Sequence, residues 1–135
     1  MGFLDRFSPQ LLSILRMISA AMFMAHGTGK LLQWPPVEQF STGPEPMTLP
    51  WIAGVLELAG GALLTLGLGT RIVAFVLSGE MAVAYWMAHA PQATFPIQNG
   101  GELAIMFCFV FLYIAAAGGG PWSLDNLLFR KKAPA

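Results

Sequence analysis

Six side chains able to bind a polar ligand or carry a proton occur within, or at the edges of, otherwise apolar stretches of the sequence. Histidine, lysine and glutamate together supply hydrogen-bond donors, acceptors and exchangeable protons, which acid–base chemistry requires. Two of them are four residues apart and so share one face of a helix. The six are His26, Lys30, Glu57, Glu80, His89 and Glu102.

The composition indicates where these residues lie. Of the 135 residues, 56% are hydrophobic and only 10% are charged, whereas soluble domains carry about 25% charged residues. Apolar segments cover roughly residues 11–32, 51–68, 71–89 and 101–118, and a helix that spans a bilayer needs about 20 residues. The sequence therefore predicts an all-α fold: a single transmembrane domain over residues 1–135, built as an integral membrane bundle of four helices.

The basic residues predict the orientation of this bundle. Arg6 precedes the first segment and Arg71 lies in the short link between the second and third, while loops 33–50 and 88–100 contain no Lys or Arg. Because basic loops stay in the cytoplasm, both termini are expected there, with these two loops outside. The fourth segment is followed by Arg130, Lys131 and Lys132.

The polar residues are not spread evenly across the predicted membrane. At about 1.5 Å of rise per helical residue, four of them lie roughly 6 to 13 Å below the outer surface. The inner half has only Arg16, which is expected to extend its charge to the cytoplasmic headgroups. A charge at mid-bilayer costs about 2.5 to 3.5 kcal/mol, so such residues face the bundle interior and pair. The four outer residues are Lys30, Glu57, His26 and Glu80.

Glycines near Glu57 predict how it is paired. Gly54, Gly60 and Gly61 allow a neighbouring helix to approach closely. This approach would bring Lys30 or His26 to the carboxylate. We therefore expect a polar pocket that opens toward the outside.

A purely structural role is the alternative for the same residues. Glu57 and Lys30 could form only an ion pair, Glu102 could answer the dipole of its helix, and His89 could lie at the membrane interface. Against this, one lysine is set against three glutamates, so full ionisation leaves about two uncompensated negative charges, which call for a proton or a cation.

Several other functions find no support in the sequence. The net charge is zero, which does not suggest nucleic acid as a partner. Cys108 has no second cysteine with which to form a dithiol relay. No covalent cofactor motif occurs. No fixed metal-ligand spacing occurs either, so no residue is predicted to be a metal ligand, although the histidines and glutamates leave metal binding through oxygen and nitrogen atoms open. The first ten residues lack the layout of a cleaved signal peptide.

Motifs along nearly the whole chain resemble those of the DoxX family. They are Arg16, then "AHGTGKL" at 25–31, "GVLELAGGALLTLGLGTR" at 54–71, "NGGELA" at 99–104 and "GPWSLDNLL" at 120–128. The resemblance implies a four-helix protein of the bacterial inner membrane. Members are associated with quinone-linked thiosulfate oxidation, thiol and superoxide defence, resistance to catechols and quinones, and copper-peptide biosynthesis. The residues carried over by position are Arg16, His26, Gly27, Lys30, Glu57, Gly61, Gly67, Arg71, Asn99, Gly100, Gly101 and Glu102.

The leading hypothesis is a quinone-binding subunit of a membrane oxidoreductase, with a redox partner protein, the lipid bilayer and further copies of the chain as partners. Lys30 or His26 would donate to a quinone carbonyl, and Glu57 and Glu80 would carry protons. The catalytic candidates are thus Glu57, Lys30 and His26, and the ligand-binding candidates are His26, Lys30, Glu57, Glu80, His89, Asn99 and Glu102. The expected apolar walls are Phe107, Phe109, Phe111, Met22 and Met106.

Two other classes of function remain open at this point. Eight methionines and two histidines suit copper handling or small-molecule transport, although methionine is also an ordinary filler of protein cores. A scaffold without any ligand is the third hypothesis. The sequence does not decide whether the chain is itself an enzyme.

Overall fold

The structure is a computed structural model that describes residues 2–130, and these residues form helices and loops without any strand. A 3₁₀ turn covers Glu38–Phe40, and a π-helical turn at Tyr85–His89 continues the fourth helix. Two of the residues used to predict the orientation, Lys131 and Lys132, lie outside the described residues. The helices are α1 (Gly2–Asp5), α2 (Ser8–Leu32), α3 (Leu49–Leu66), α4 (Thr70–Ala84), α5 (Pro96–Asn99), α6 (Glu102–Ala117) and α7 (Leu124–Phe129).

The expected all-α fold is confirmed, and three of its helices are long and apolar enough to cross a membrane. They are α2, α3 and the continuous helix Thr70–His89. The fourth predicted span corresponds to α6, which is apolar but only 16 residues long. At about 1.5 Å per residue it measures roughly 24 Å, so its crossing stays a prediction.

Two glycines delimit the short link between α3 and α4: Gly67 follows the end of α3, and Gly69 precedes the start of α4. Gly67 has a φ of 73° and Gly69 a φ of 62°, a left-handed conformation that glycine adopts without steric cost. The amide of Leu68 donates to the carbonyl of Leu63 at 3.0 Å, which closes the last turn of α3. The link therefore turns the chain back within three residues, and α3 and α4 form an antiparallel hairpin.

The helices pack as two close pairs, α2 with α3 and α4 with α6. A β-carbon on Gly27 of α2 would lie 2.4 Å from the backbone nitrogen of Leu58, and one on Gly61 would lie 2.8 Å from Cβ of Met24. The predicted close approach of a helix near Glu57 is thus confirmed, and the partner of α3 there is α2.

An aromatic cluster connects the two pairs. The ring of Phe23 on α2 meets Phe107 and Phe111 of α6 edge-on, with centroids 5.2 and 5.0 Å apart. Large apolar side chains also cover the outside, for example Ile72, which is 76% exposed, and Phe75, which is 65% exposed. An outer surface of this kind suits lipid rather than water.

Polar residues collect at the two ends of the bundle. At the termini end, the start of α2 meets the α3–α4 link and residues 117–126. At the loop end, the end of α2 meets loop 33–48, the π-helical turn and residues 96–104.

The expectation that Arg16 reaches the headgroups is wrong. Its side chain is 0% exposed, and its guanidinium donates to backbone carbonyls of the termini end. Nε donates to Gly119 at 2.9 Å, Nη1 to Leu64 at 2.6 Å, and Nη2 to Trp122 at 2.6 Å. Carbonyls at helix ends and in loops lack helical partners, and the five donors of a guanidinium can serve several of them at once. The buried guanidinium therefore provides hydrogen bonds to more backbone carbonyls than it would if it extended to the headgroups.

Two further charged residues secure the termini end. The carboxylate of Asp125 accepts from the amides of Gly69 and Thr70 at 2.7 and 2.8 Å, which satisfies the start of α4. Arg71, assigned from the sequence only to orientation, donates to the carbonyls of Ala115 and Ala116 at the end of α6. A cation at this position also offsets the helix dipole.

Candidate functional site

A cavity of about 520 Å³ opens at the loop end. Its size falls within the range of about 300 to 1,000 Å³ that is usual for small-molecule sites. Apolar and aromatic side chains form most of its wall, and four ionisable side chains interrupt them. The lining residues are Phe23, His26, Lys30, Gln39, Phe40, Glu57, Met81, Ala84, Ala88, His89, Gly100, Leu103, Ala104 and Phe107.

An ion pair lies at the wall between α2 and α3. Lys30 Nζ donates to Glu57 Oε1 at 2.6 Å, so the pair predicted from the sequence is confirmed. A β-carbon on Gly54 would lie 3.4 Å from Cβ of Lys30, so the small residue leaves room for the lysine to reach α3. Glu57 is 3% exposed, and within residues 2–130 its Oε2 has no hydrogen-bond partner.

Glu80 adds a second buried carboxyl group close to this pair. Both of its side-chain oxygens are buried, and neither has a hydrogen-bond partner in the described part of the chain. The group lies within electrostatic range of Glu57 and Lys30. One lysine therefore faces two carboxyl groups in a region shielded from water, and a proton or another positive charge would balance them.

The 3₁₀ turn in the proline-rich loop covers one side of the cavity. Its Phe40 packs on Gly29, where a β-carbon would lie 3.0 Å from the phenyl ring. The ring also lies edge-on to His26, with centroids 6.4 Å apart, and 5.8 Å from Lys30 Nζ. The histidine is thus placed between Phe40 and Phe107, whose centroid is 6.1 Å away.

The π-helical turn carries His89 to the opposite side. Its Nδ1 lies 3.0 Å from the carbonyl oxygen of Asn99. The Asn99 side chain donates to the carbonyl of Ala93 at 3.1 Å and accepts from the amide of Gly101 at 2.8 Å. Short π-helical segments often occur at functional sites, and here the segment joins the cavity wall to the start of α6.

The structure brings together four of the seven ligand-binding candidates, namely His26, Lys30, Glu57 and His89. Glu80, Asn99 and Glu102 do not line the cavity. Asn99 is 4% exposed, and its polar atoms are used within its own loop and by the π-helical turn. Glu102 is exposed as the first residue of α6, where its charge suits the helix dipole.

Most of the apolar walls expected from the sequence are elsewhere. Of the five expected wall residues, only Phe107 lines the cavity. Phe111 is buried in the core, whereas Phe109, Met106 and Met22 are 65%, 61% and 54% exposed on the outer surface. A span that is apolar all round gives no sign of which face turns inward.

Several wall residues were missed by sequence reasoning. Phe23 and Met81 lie on apolar helices without a polar stripe, so their inward direction could not be read from periodicity. Gln39 and Phe40 belong to a proline-rich loop, whose position depends on tertiary packing alone. Within residues 2–130, no three His, Cys, Asp or Glu side chains lie together in a group that could hold a metal ion.

Comparison with known proteins relates the chain to one family. The profile of the DoxX family matches residues 11–90. An uncharacterized protein of Haemophilus influenzae is 44% identical over 97% of this chain and 100% of its own length. A Bacillus subtilis protein named "Putative oxidoreductase CatD" is 28% identical over 88% of this chain and 87% of its own length. No solved structure matches the chain.

Proposed function

We propose that this chain, a membrane protein that belongs to the DoxX family, is a subunit of a redox system and binds a quinone or a similar small redox ligand in the loop-end cavity. The observation that carries the proposal is the make-up of the cavity wall. Aromatic rings and a methionine surround an ion pair and two histidines, which suits a flat ring with polar atoms at its edge. The name of the Bacillus subtilis relative agrees with a redox role.

The residues of the wall have distinct tasks in this proposal. Phe23 and Phe107 hold the apolar ring, and Lys30 donates a hydrogen bond to an oxygen of the ligand. His26 and Glu57 lie beside that oxygen and can exchange a proton with it. A bound quinone would supply two-electron, two-proton chemistry, and the electrons would come from a partner protein.

Glu80 completes the proton path in this proposal. It lies behind the wall rather than on it, and its two oxygens have no partner among residues 2–130. A proton held there balances the excess of carboxyl groups over Lys30. Transfer toward Glu57 would then make the proton available to the ligand.

The membrane arrangement belongs to the same proposal. Four spans cross the bacterial inner membrane, with α6 as the short fourth span, both termini in the cytoplasm and the cavity open to the periplasm. Arg71 and Arg130 at the termini end and the absence of Lys and Arg from loop 33–48 support this orientation. A reporter fused after Ala135 is expected to read cytoplasmic, and one inserted at Gly43 to read external. A cytoplasmic signal at Gly43 would reverse the orientation.

A ligand titration tests the proposed site. We expect duroquinone, in its oxidised or reduced form, to raise the melting temperature of the purified protein in a saturable way. A ligand at 100 times its dissociation constant stabilises a protein by about 2.7 kcal/mol. His26→Ala should remove this shift while the ligand-free protein stays folded, and Glu57→Gln should reduce the shift that the reduced form gives.

The matched control is Glu45→Gln, which makes the same chemical change on an exposed part of loop 33–48 and should keep the full shift. If neither oxidation state of duroquinone gives a saturable shift, the proposed ligand is wrong. If a chelator then lowers the melting temperature, the metal-handling alternative replaces it.

A further inference from the structure

One oxygen of the buried ion pair lacks a hydrogen-bond donor. Glu57 is 3% exposed and lines the cavity. Its Oε1 accepts from Lys30 at 2.6 Å, whereas Oε2 has no partner within residues 2–130. A buried acceptor that is left without a donor is costly, and the cost is larger for a charged group. A bound molecule that brings a donor to Oε2 would remove that cost.

The other side of the pair can still donate. A lysine ammonium has three donors, and Lys30 uses one of them on Glu57. At the edge of the ion pair, a ligand thus meets a donor from Lys30 next to an acceptor from Glu57. A hydroxyl group matches this arrangement because its oxygen accepts from one neighbour while its hydrogen is donated to the other.

The two oxidation states of a quinone differ in this property. A quinone carbonyl can only accept, so at this position its oxygen would face the unpartnered Oε2 with no hydrogen between them. A hydroquinone hydroxyl can accept from Lys30 and donate to Oε2 at the same time. The two molecules have nearly the same shape, so the apolar wall does not distinguish them.

We infer, on the basis of the proposed function, that the cavity binds its ligand preferentially in the reduced, hydroxyl-bearing form, with the hydroxyl donating to Glu57 Oε2. A hydroquinone or a similar phenol is therefore the ligand class that the site takes most tightly. The quinone enters the same cavity and binds more weakly.

The affinities of three molecules test this inference on the unmodified protein. Durohydroquinone, duroquinone and the dimethyl ether of durohydroquinone are titrated without oxygen at constant detergent by isothermal calorimetry. Durohydroquinone is expected to bind about tenfold more tightly than duroquinone, because a hydrogen bond to a charged group contributes at least that much. The ether has no O–H and should bind no more tightly than duroquinone. Duroquinone or the ether binding as tightly as durohydroquinone would overturn the inference.

A substitution tests which acceptor is responsible. In Glu57→Gln the amide oxygen can face Lys30, so that the NH₂ group replaces Oε2 and turns an acceptor into a donor. The preference is then expected to disappear or to change to duroquinone, while Glu45→Gln keeps the preference of the parent. An unchanged preference in a folded Glu57→Gln protein would also overturn the inference. If that variant does not fold, the ether comparison decides. Failure of both oxidation states to bind the parent would instead contradict the proposed function itself.

Discussion

Both ends of the bundle contain buried charged side chains, but only one end satisfies them. At the termini end, Arg16 is 0% exposed and donates to carbonyls of two separate segments, the end of α3 and residues 117–126. At the loop end, Glu57 has one bonded and one unpartnered oxygen, and both oxygens of Glu80 lack a partner within residues 2–130. A cavity adjoins each end, of about 620 Å³ at the termini end and about 520 Å³ at the loop end, and Glu57 lines the one at the loop end.

This difference separates a structural role from a ligand-binding role. A buried polar group that is fully hydrogen-bonded stabilises the fold, whereas an unsatisfied one costs free energy that the rest of the fold must offset. Such a cost is understandable where a ligand supplies the missing partners. The termini end therefore has a structural role, and the loop end is the end that we propose as the ligand site.

The largest effect on stability is expected at Arg16. In Arg16→Met, the carbonyls of Thr65 and Trp122 lose their donor among residues 2–130, and each stranded group costs roughly 1 to 3 kcal/mol. The carbonyls of Leu64 and Gly119 each lose one of two donors. We expect the free energy of unfolding to fall by at least about 3 kcal/mol, measured by melting in detergent. Arg71→Gln is the matched control, since Arg71 is exposed, and its loss should be clearly smaller. Equal losses of unfolding free energy would show that the buried side chain of Arg16 stabilises the protein no more than the exposed side chain of Arg71 does.

The contact between α2 and α3 gives the next largest effect. A β-carbon on Gly27 would lie 2.4 Å from the backbone of α3, whereas one on Gly79 in α4 would meet nothing within 4 Å. Gly27→Ala should therefore lower the free energy of unfolding by about 1 to 3 kcal/mol. Gly79→Ala should leave it unchanged or raise it slightly, because alanine favours a helix over glycine by up to about 1 kcal/mol. Similar melting curves for the two variants would contradict the close packing described above.

The ion pair at the loop end is expected to give an intermediate effect. Lys30→Met or Glu57→Gln alone leaves one partner buried without the other, so each single change should cost more than the double change. A double-mutant cycle should give an interaction energy of about 1 to 2 kcal/mol. Additive losses would mean that the two side chains do not interact in the folded protein.

A smaller, pH-dependent effect is expected at Asp125. Burial alone would raise the pKa of its carboxyl group, but hydrogen bonds from Thr70 and Gly69 and the charge of Arg16 lower it below the ordinary value. Because the folded-state pKa is depressed, the stabilisation is fully present above the unfolded pKa and is lost as the pH falls through the folded-state value, below about pH 4.

Asp125→Asn should therefore lower stability at neutral pH by about 1 kcal/mol, as for the loss of a helix cap, and the difference from the parent should disappear in acid. Melting curves between pH 3 and pH 7 measure this. Asp5→Asn, on an exposed residue of α1, is the control. A difference that stays constant over this range would show that the carboxylate charge of Asp125 is not what stabilises α4.

The sequence predicts the helices well because long apolar segments and glycine-rich links depend on local chemistry. It also predicts the pair of Lys30 with Glu57, since a lysine and a glutamate in neighbouring apolar helices have few other partners. It does not predict the burial of Arg16, because the carbonyls that receive it come from segments about 50 and 100 residues away in the chain. Nor does it predict Phe40, whose place on the cavity depends on the path of an irregular loop.

The melting temperature of ligand-free Glu80→Met tests most directly whether the polar groups of the loop end serve a ligand rather than the fold. The carboxyl oxygens of Glu80 are buried without a hydrogen-bond partner among the described residues, so an apolar side chain of similar length removes an unfavourable group. We expect the variant to melt at the same temperature as the parent or higher, as is often found when buried charges are replaced by apolar residues. A fall comparable to that of Arg16→Met would contradict this account, because it would show that Glu80 stabilises the fold as Arg16 does at the termini end.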